Sequence, residues 1–329
     1  MNVLIGVVSD TLAWVLPRHV AAHLRQMFPQ HALLEAWDRA EIRRRLPEAD
    51  VAFTAHVDRD IFPSLARLRW IQAPAAGVGS LLYPEMLASP VILTNARGIR
   101  ARAIAEHVIG VTIALARHLH TAIRAQVRRE WVQDQLEGSG ANIVRSLLGA
   151  RLGIVGLGAI GREVAPLAAA LGMQVTAIRK HATRPAPPGV EEVLPPEALP
   201  DLLARSDVVL LAAPSTRDTR GLIGAREVAQ MKPGAFLINV GRGRLIVDEA
   251  VAEGLRRGRI GGAALDVFSH EPLDADSPYW DLPNVIVTPH TSGAMEDYWT
   301  PLAALFAENL RRFEEGRPLL NLIDKERGY

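Results

Sequence analysis

The chain of 329 residues contains no cysteine. That absence excludes disulfides, thiolate nucleophiles and cysteine-ligated metals, and it leaves the redox compartment open. Lysine is nearly missing as well: Lys180, Lys232 and Lys325 are the only ones, and arginine carries the remaining positive charge. We read this as compositional bias, not mechanism. Neither sign of charge is in excess, with 37 basic against 36 acidic residues and a formal net charge of +1. Nothing here implies nucleic acid or an anionic membrane as partner. No apolar run reaches the roughly 18 residues of a membrane span. The opening MNVLIGVVSD lacks a basic leader followed by a long apolar stretch, so a cytoplasmic protein is the expectation. No internal repeat or low-complexity tract is visible.

What is present is an alternation of short apolar runs with amphipathic stretches. VLIGVV (3–8), VAFTA (51–55), WIQAP (70–74) and VILTN (91–95) read as buried strands, with helices at 18–28 and 38–47. Residues 101–119 then read as a long, largely apolar helix and 121–136 as a more polar one. A second alternation follows: GIVGLG (153–158), QVTAI (174–178), VVLLAAP (208–214), FLINVG (236–241), AALDVF (263–268) and VIVTP (285–289). Helices at 160–171, 197–205, 225–231 and 248–257 separate these runs, and the Pro-rich 182–200 reads as a surface loop. Strand–helix–strand repetition implies α/β architecture, with parallel sheets covered on both faces. Two blocks imply two domains. The last helix, 295–315, comes after the second sheet is complete and is expected to return to the first domain. The expected division is 1–99 plus 294–329 and 100–293.

Gly156, Gly158 and Gly161 fit G-x-G-x-x-G between an apolar strand and an apolar helix, the context that makes this motif a dinucleotide site. Gly156 permits the tight turn, Gly158 lets the backbone approach a pyrophosphate, and Gly161 allows helix and strand to pack closely. NAD sites usually place Asp or Glu about 20 residues further on. Here that point is occupied by Arg179 and Lys180, with Arg184 close behind. A carboxylate there would repel a 2′-phosphate, whereas a guanidinium binds it bidentately. The expected cofactor is NADP(H), read by Arg179 with Lys180 in support; NAD stays possible.

Arg242, Glu271 and His290 each follow a later strand of the second block. In open α/β sheets ligands bind outside the carboxyl ends of strands, so the three are expected in one cleft beside the nucleotide. They suit reduction of a 2-oxo acid. His has a reference pKa of ~6.5 and needs a neighbouring carboxylate to stay protonated near neutrality. His290 is then the general acid, Glu271 its partner, and Arg242 a bidentate grip on the carboxylate and the carbonyl oxygen. Singly, each has a duller reading as a surface or turn residue.

GLGAIG (156–161), NVGRG (239–243), ALDVFSHEP (264–272) and DSPYWDLPNVIVTPHTSG (276–293) closely resemble the D-isomer-specific 2-hydroxyacid dehydrogenases. AAGVG (75–79), NARGIRARAIAEH (95–107) and NLIDKERGY (321–329) agree more loosely. The resemblance spans nearly the whole chain. It implies two Rossmann-like domains, a flavodoxin-like substrate domain and a doubly wound nucleotide domain, with an interdomain cleft. It implies Arg–Glu–His catalysis, matched by Arg242, Glu271 and His290, and cofactor contacts from Ala159 and Ile160 in the glycine turn. It also implies that Asp266 touches the nicotinamide carboxamide and that amides around Ala76, Gly77 and Val78 bind the substrate carboxylate. A homodimer through helices 101–136 follows from the same source, with Trp131 as an anchor or else a core residue. No metal is implied.

Two departures stand out. Gly79 replaces an acidic residue frequent in the family, and Arg97 replaces a proline, which makes a basic cluster with Arg100 and Arg102. That cluster is either an attraction for acidic substrates or a solvated helix start. The missing carboxylate after the second strand points to the NADPH-using glyoxylate and hydroxypyruvate reductases of the family. Larger 2-oxo acids such as 2-ketogluconate or phenylpyruvate, oxidation of formate or phosphite, and a non-catalytic NAD(P)-sensing protein are the alternatives.

Overall fold

Long apolar runs can be buried on both faces only in a parallel sheet with helices above and below. The computed structural model, which describes residues 1–9, 14–137, 144–326 and 328, contains two such sheets. The chain divides into two compact units, 1–99 with 295–329 and 100–294.

The first unit runs β1 (Asn2–Ile5), α1 (Arg18–Met27), β2 (Ala32–Glu35), α2 (Arg39–Arg45), β3 (Val51–Phe53), β4 (Trp70–Gln72), α3 (Pro84–Ala88) and β5 (Ile92–Thr94). A returning helix, Trp299–Glu314, completes it. The strands are all parallel in the order β2-β1-β3-β4-β5, the doubly wound arrangement of flavodoxin-like folds. Side chains alternate across the sheet as strand pleating requires. Val3, Ile5, Val51 and Phe53 pack with α1 and the returning helix, while Leu4, Ala52 and Ile71 pack on the other face with Ile42 and Met86. Phe306 stacks between Phe53 and Trp70, at centroid distances of 4.8 and 5.5 Å, and fastens the returning helix to this sheet.

The second unit runs α4 (Ala101–Ala116), α5 (Leu119–Arg128), α6 (Gln133–Glu137), β6 (Arg151–Val155), α7 (Ala159–Ala170), β7 (Gln174–Ile178) and β8 (Glu192–Leu194). It continues with α8 (Leu199–Arg205), β9 (Val208–Leu211), α9 (Ala225–Gln230), β10 (Ala235–Asn239), α10 (Asp248–Arg256), β11 (Ile260–Leu265) and β12 (Val285–Val287). The order β12-β11-β10-β9-β6-β7-β8 is all parallel and reverses between β6 and β9. That reversal is the topological switch point, where such sheets bind ligands. Leu152 and Ile154 pack with α4 and α7; Val155, Val209 and Leu237 pack with α8, α9 and α10.

Four sequence expectations need correction. β2 was not foreseen: its segment ALLE is an edge strand with no buried residue and weak contrast between its faces. The Pro-rich loop 182–200 contains β8 and the start of α8. The long helices end early, because His118 and Arg129 both adopt left-handed backbone, at φ 51° and 59°. This stops α4 at 116 and separates α5 from α6. The returning helix starts at Trp299, not 295. Among the described residues no helix is long and apolar enough to cross a membrane.

Candidate active site

The glycine turn sits at the switch point. Gly156 has φ 104°, and a Cβ there would fall 2.6 Å from the backbone nitrogen of Ala213, so only glycine lets β6 turn against the end of β9. By contrast, a Cβ on Gly158 would meet nothing within 4 Å. The space above the turn is open, and α7 begins there without a side-chain cap. The first N–H groups of α7, on Ala159, Ile160 and Gly161, therefore face an anion-binding position. The residues present fit a pyrophosphate. At the end of β7, Arg179 donates through Nε to His181 O at 3.0 Å and through Nη2 to Arg184 O and Pro185 O. Its Nη1 is buried without a hydrogen-bond partner. The guanidinium thus holds the loop that follows β7 and keeps a donor in reserve. Lys180 and Arg184 are exposed.

The ends of β10, β11 and β12 carry the second constellation. Asp266, 1% exposed, follows β11. Its Oδ1 accepts from the Thr288 hydroxyl at 2.6 Å and from the Thr291 and Ser292 N–H groups at 2.9 and 3.0 Å. Its Oδ2 accepts from Ser292 N–H at 3.1 Å and keeps further acceptor capacity. This carboxylate therefore shapes the loop that bears His290. The His290 N–H donates to Asp266 O at 2.9 Å, which helps hold the residue at φ 55°. A non-glycine residue in that region costs about 1–2 kcal/mol, and its environment must fix it there.

His290 Nδ1 lies 2.7 Å from Glu271 Oε2. The other Glu271 oxygen accepts from Phe268 N–H at 2.9 Å. With both oxygens engaged, the carboxylate fixes the imidazole tautomer that carries a proton on Nδ1. Nε2 of His290 has no hydrogen-bond partner among the described residues, and 54% of the side chain is exposed. Behind Glu271 a second carboxylate holds the loop: Asp248 accepts from the Ser269 hydroxyl and, at 3.1 Å, from the buried Tyr279 hydroxyl. Burial, with the Asp248 charge, pushes the Tyr279 hydroxyl far above its usual range, so it stays a donor.

Arg242 follows β10. Asn239, fully buried, donates to its carbonyl at 3.0 Å, and the guanidinium donates to Gly241 O at 2.6 Å. No carboxylate within the described residues pairs with it. Gly243 abuts the Phe268–Ser269 peptide so closely that a Cβ would fall inside it. The Arg242 loop and the Glu271 loop are thereby packed backbone to backbone. Half-buried His107 on α4 lies within reach of the Asp266 charge; burial holds its pKa down, and Asp266 partly offsets this.

In the first unit, Ala76 and Gly77 are exposed on the loop after β4, and Val78 is buried. Asn95 Nδ2 donates to Ala76 O at 2.6 Å, and the Tyr298 hydroxyl donates to Pro74 O. Neither Asn95 nor Tyr298 was singled out from the sequence. Each acts on a backbone carbonyl, and no side-chain pattern announces such a partner. The basic cluster separates: Arg102 pairs with Glu106 at 2.8 Å, and Arg97 donates to Leu322 O at 3.3 Å. Trp131 is 90% exposed, so its core alternative does not hold in this chain, and Ile123 and Val127 on α5 are exposed with it. Among the described residues no group of three or more His, Asp or Glu side chains could hold a metal ion.

Residues 109–292 match the model of the D-isomer specific 2-hydroxyacid dehydrogenase NAD binding domain. The chain is 33% identical over 294 residues to a glycerate dehydrogenase of Methylorubrum extorquens, covering 86% of this chain and 88% of that one. It is 31% identical over 321 residues to a glyoxylate reductase of Aeropyrum pernix, covering 94% and 95%. Among solved structures, the NADPH-dependent glyoxylate/hydroxypyruvate reductase of Sinorhizobium meliloti, in complex with NADP and sulfate, superposes with a TM-score of 0.82. Its identity is 28%, with 100% of this chain and 99% of that one covered. A D-isomer specific 2-hydroxyacid dehydrogenase from Xanthobacter autotrophicus, in complex with NADPH and MES, gives 0.81 at 29% identity and the same coverage. With a parallel-sheet nucleotide fold, an open glycine turn and this likeness along its length, the chain is an NAD(P)-dependent oxidoreductase and belongs to the D-isomer specific 2-hydroxyacid dehydrogenase family.

Proposed function

We propose that the protein reduces a small 2-oxo acid of the glyoxylate or hydroxypyruvate type to the D-2-hydroxy acid, with NADPH preferred over NADH. The observation that carries this reading is the 2.7 Å contact of His290 Nδ1 with a Glu271 carboxylate whose other oxygen is already fixed by Phe268 N–H. A reduced nicotinamide, when bound, would supply the hydride for the carbonyl carbon. As charge gathers on the carbonyl oxygen, His290 gives it a proton from Nε2. Glu271 holds the Nδ1 side of the ring and so orients Nε2. In the reverse direction His290 takes the proton back. Arg242, with no carboxylate partner of its own among the described residues, grips the substrate carboxylate and the carbonyl oxygen bidentately. In the first unit, the N–H groups of Ala76, Gly77 and Val78, which donate no backbone hydrogen bond among the described residues, suit a substrate carboxylate.

On the cofactor side, Gly156, Gly158, Ala159, Ile160 and Gly161 take the pyrophosphate, and the spare Oδ2 capacity of Asp266 suits a carboxamide donor. Arg179, with Lys180, reads the 2′-phosphate; its buried, unpartnered Nη1 supports that role. The region 1–99 with 294–329 is the substrate domain, and 100–293 the nucleotide domain. The protein acts as a cytoplasmic homodimer, for which the exposed Ile123, Val127 and Trp131 offer an apolar surface. A panel of 2-oxo acids assayed with NADPH and with NADH tests this reading. It predicts a higher kcat/KM with NADPH and the best turnover on the smallest acids. A clear NADH preference removes the 2′-phosphate assignment; tight cofactor binding without turnover on any 2-oxo acid removes the enzyme reading.

A further inference from the structure

Beyond Ala73, whose N–H donates to Thr94 O at 2.8 Å, the loop after β4 in the first unit is held through its carbonyls and not through its N–H groups. The carbonyls of residues 73–76 are occupied: Ala73 O accepts from Gln72 Nε2 at 3.0 Å, Pro74 O from the Tyr298 hydroxyl, Ala75 O from Ala96 N–H at 3.1 Å, and Ala76 O from Asn95 Nδ2 at 2.6 Å. The N–H groups that follow are not: among the described residues none of Ala75, Ala76, Gly77 and Val78 donates a backbone hydrogen bond. The two facts are linked by peptide geometry. These peptides are trans, and in a planar trans peptide each N–H points opposite to the carbonyl before it. Holding the Pro74 carbonyl from behind therefore aims the Ala75 N–H forward. Holding the Ala76 carbonyl does the same for the Gly77 N–H. Successive N–H groups facing one way form a concavity that binds anions.

Two of the four anchors are side chains from elsewhere in the sequence. Asn95, 3% exposed, also accepts the Arg97 N–H on Oδ1 at 3.2 Å, which leaves Nδ2 as the atom facing Ala76. Tyr298, 6% exposed, lies 224 residues from Pro74 at the start of the returning helix, with its ring set edge-on to Trp14 and Trp299. We propose that Asn95 and Tyr298 are positioning residues for substrate binding: they hold the carbonyls of Ala76 and Pro74 so that the N–H groups of Gly77 and Ala75 point at the substrate carboxylate. The inference rests on the reading of this loop as a carboxylate site, and the control below separates the two.

The full-length Tyr298→Phe and Asn95→Asp variants are assayed with NADPH and glyoxylate, and binding of oxamate, a stable carboxylate analogue, is measured alongside. The first variant removes one hydroxyl and keeps the ring; the second removes one donor and keeps the shape. KM and the oxamate Kd are expected to rise on the order of 5- to 20-fold, while kcat, cofactor Kd and Tm move little. For Asn95→Asp the deficit relative to wild type narrows as pH is lowered, because a protonated carboxyl donates again. Gly77→Pro, which deletes one of the forward N–H groups, is the control. If it raises KM and the other two variants do not, the positioning inference is wrong and the carboxylate reading survives. If all three leave KM unchanged, both fall. A parallel decline of kcat, KM, cofactor affinity and Tm in Tyr298→Phe also overturns the inference, since it marks a purely structural role.

Discussion

Gly243 and Phe268 are in backbone contact: a Cβ on Gly243 would lie 1.8 Å from the Phe268 carbonyl carbon and 2.0 Å from its oxygen. One residue before this contact stands Arg242, and three residues after Phe268 stands Glu271. The Gly243→Ala variant must push the two loops apart. Overpacking of this kind costs about 1–3 kcal/mol of stability. A displacement of about 1 Å at a reacting group costs on the order of 100-fold in rate. We expect Gly243→Ala to fold with a lowered Tm and to lose about 100-fold in kcat/KM, measured by thermal melting and NADPH oxidation. Full activity would show that the spacing of these loops has no bearing on catalysis.

The contact of Glu271 with His290 Nδ1, 2.7 Å long, is the geometric basis of the proposed orientation of the imidazole. Glu271→Ala removes it and leaves the ring free to turn. A displacement of about 1 Å at a reacting group costs on the order of 100-fold in rate. We expect a loss of kcat/KM of that order with the cofactor Kd unchanged, measured by NADPH oxidation and fluorescence titration. A wild-type rate would exclude Glu271 as a positioning partner of His290.

Arg179 and the coenzyme phosphate form a separable claim. A charge-assisted hydrogen bond is worth about 1.5–3 kcal/mol, or roughly 10- to 150-fold in affinity. Arg179→Gln is expected to weaken NADPH binding by a factor in that range and to leave NADH binding nearly unchanged, as read by fluorescence titration. Equal loss for both coenzymes would place Arg179 in loop structure alone, through its contacts with the carbonyls of His181 and Pro185.

The fold itself carries a pH dependence. Burial first, then the neighbouring His118 and Arg124 charges, hold the His120 imidazole below its ordinary range, and burial does the same for His107. Both residues thus favour the neutral form when folded. Below about pH 6.5 the unfolded chain takes up protons that these sites resist, so stability is present above that pH and declines as pH falls below it. Melting curves of wild type and His120→Gln from neutral to mildly acidic pH should converge as pH drops. A constant gap would show that His120 does not contribute to the acid sensitivity.

The strands legible in the sequence are those buried on both faces. VVLL in β9 and AFLIN in β10 are continuous apolar runs, because a parallel sheet between helix layers demands them. β2 and β8 escaped notice for the opposite reason: each lies at a sheet edge, and neither contains a buried residue. The breaks at His118 and Arg129 were equally hidden, since neither side chain marks a left-handed turn. Arg242, Glu271 and His290 stand out in the sequence because each follows an apolar run of the second sheet. Of these, the sequence pointed to the pairing of Glu271 with His290, but not to the Phe268 N–H that holds the carboxylate. Gly243, Asn95 and Tyr298 depend on backbone neighbours distant in the chain, which no local pattern encodes.

The most direct test of the central claim is single-turnover NADPH oxidation by His290→Gln, with cofactor affinity measured on the same preparation. Loss of a positioned general acid is expected to slow the step by about 10²- to 10⁴-fold while the cofactor Kd holds within about twofold. A wild-type rate with unchanged cofactor binding would contradict the account and require another proton donor.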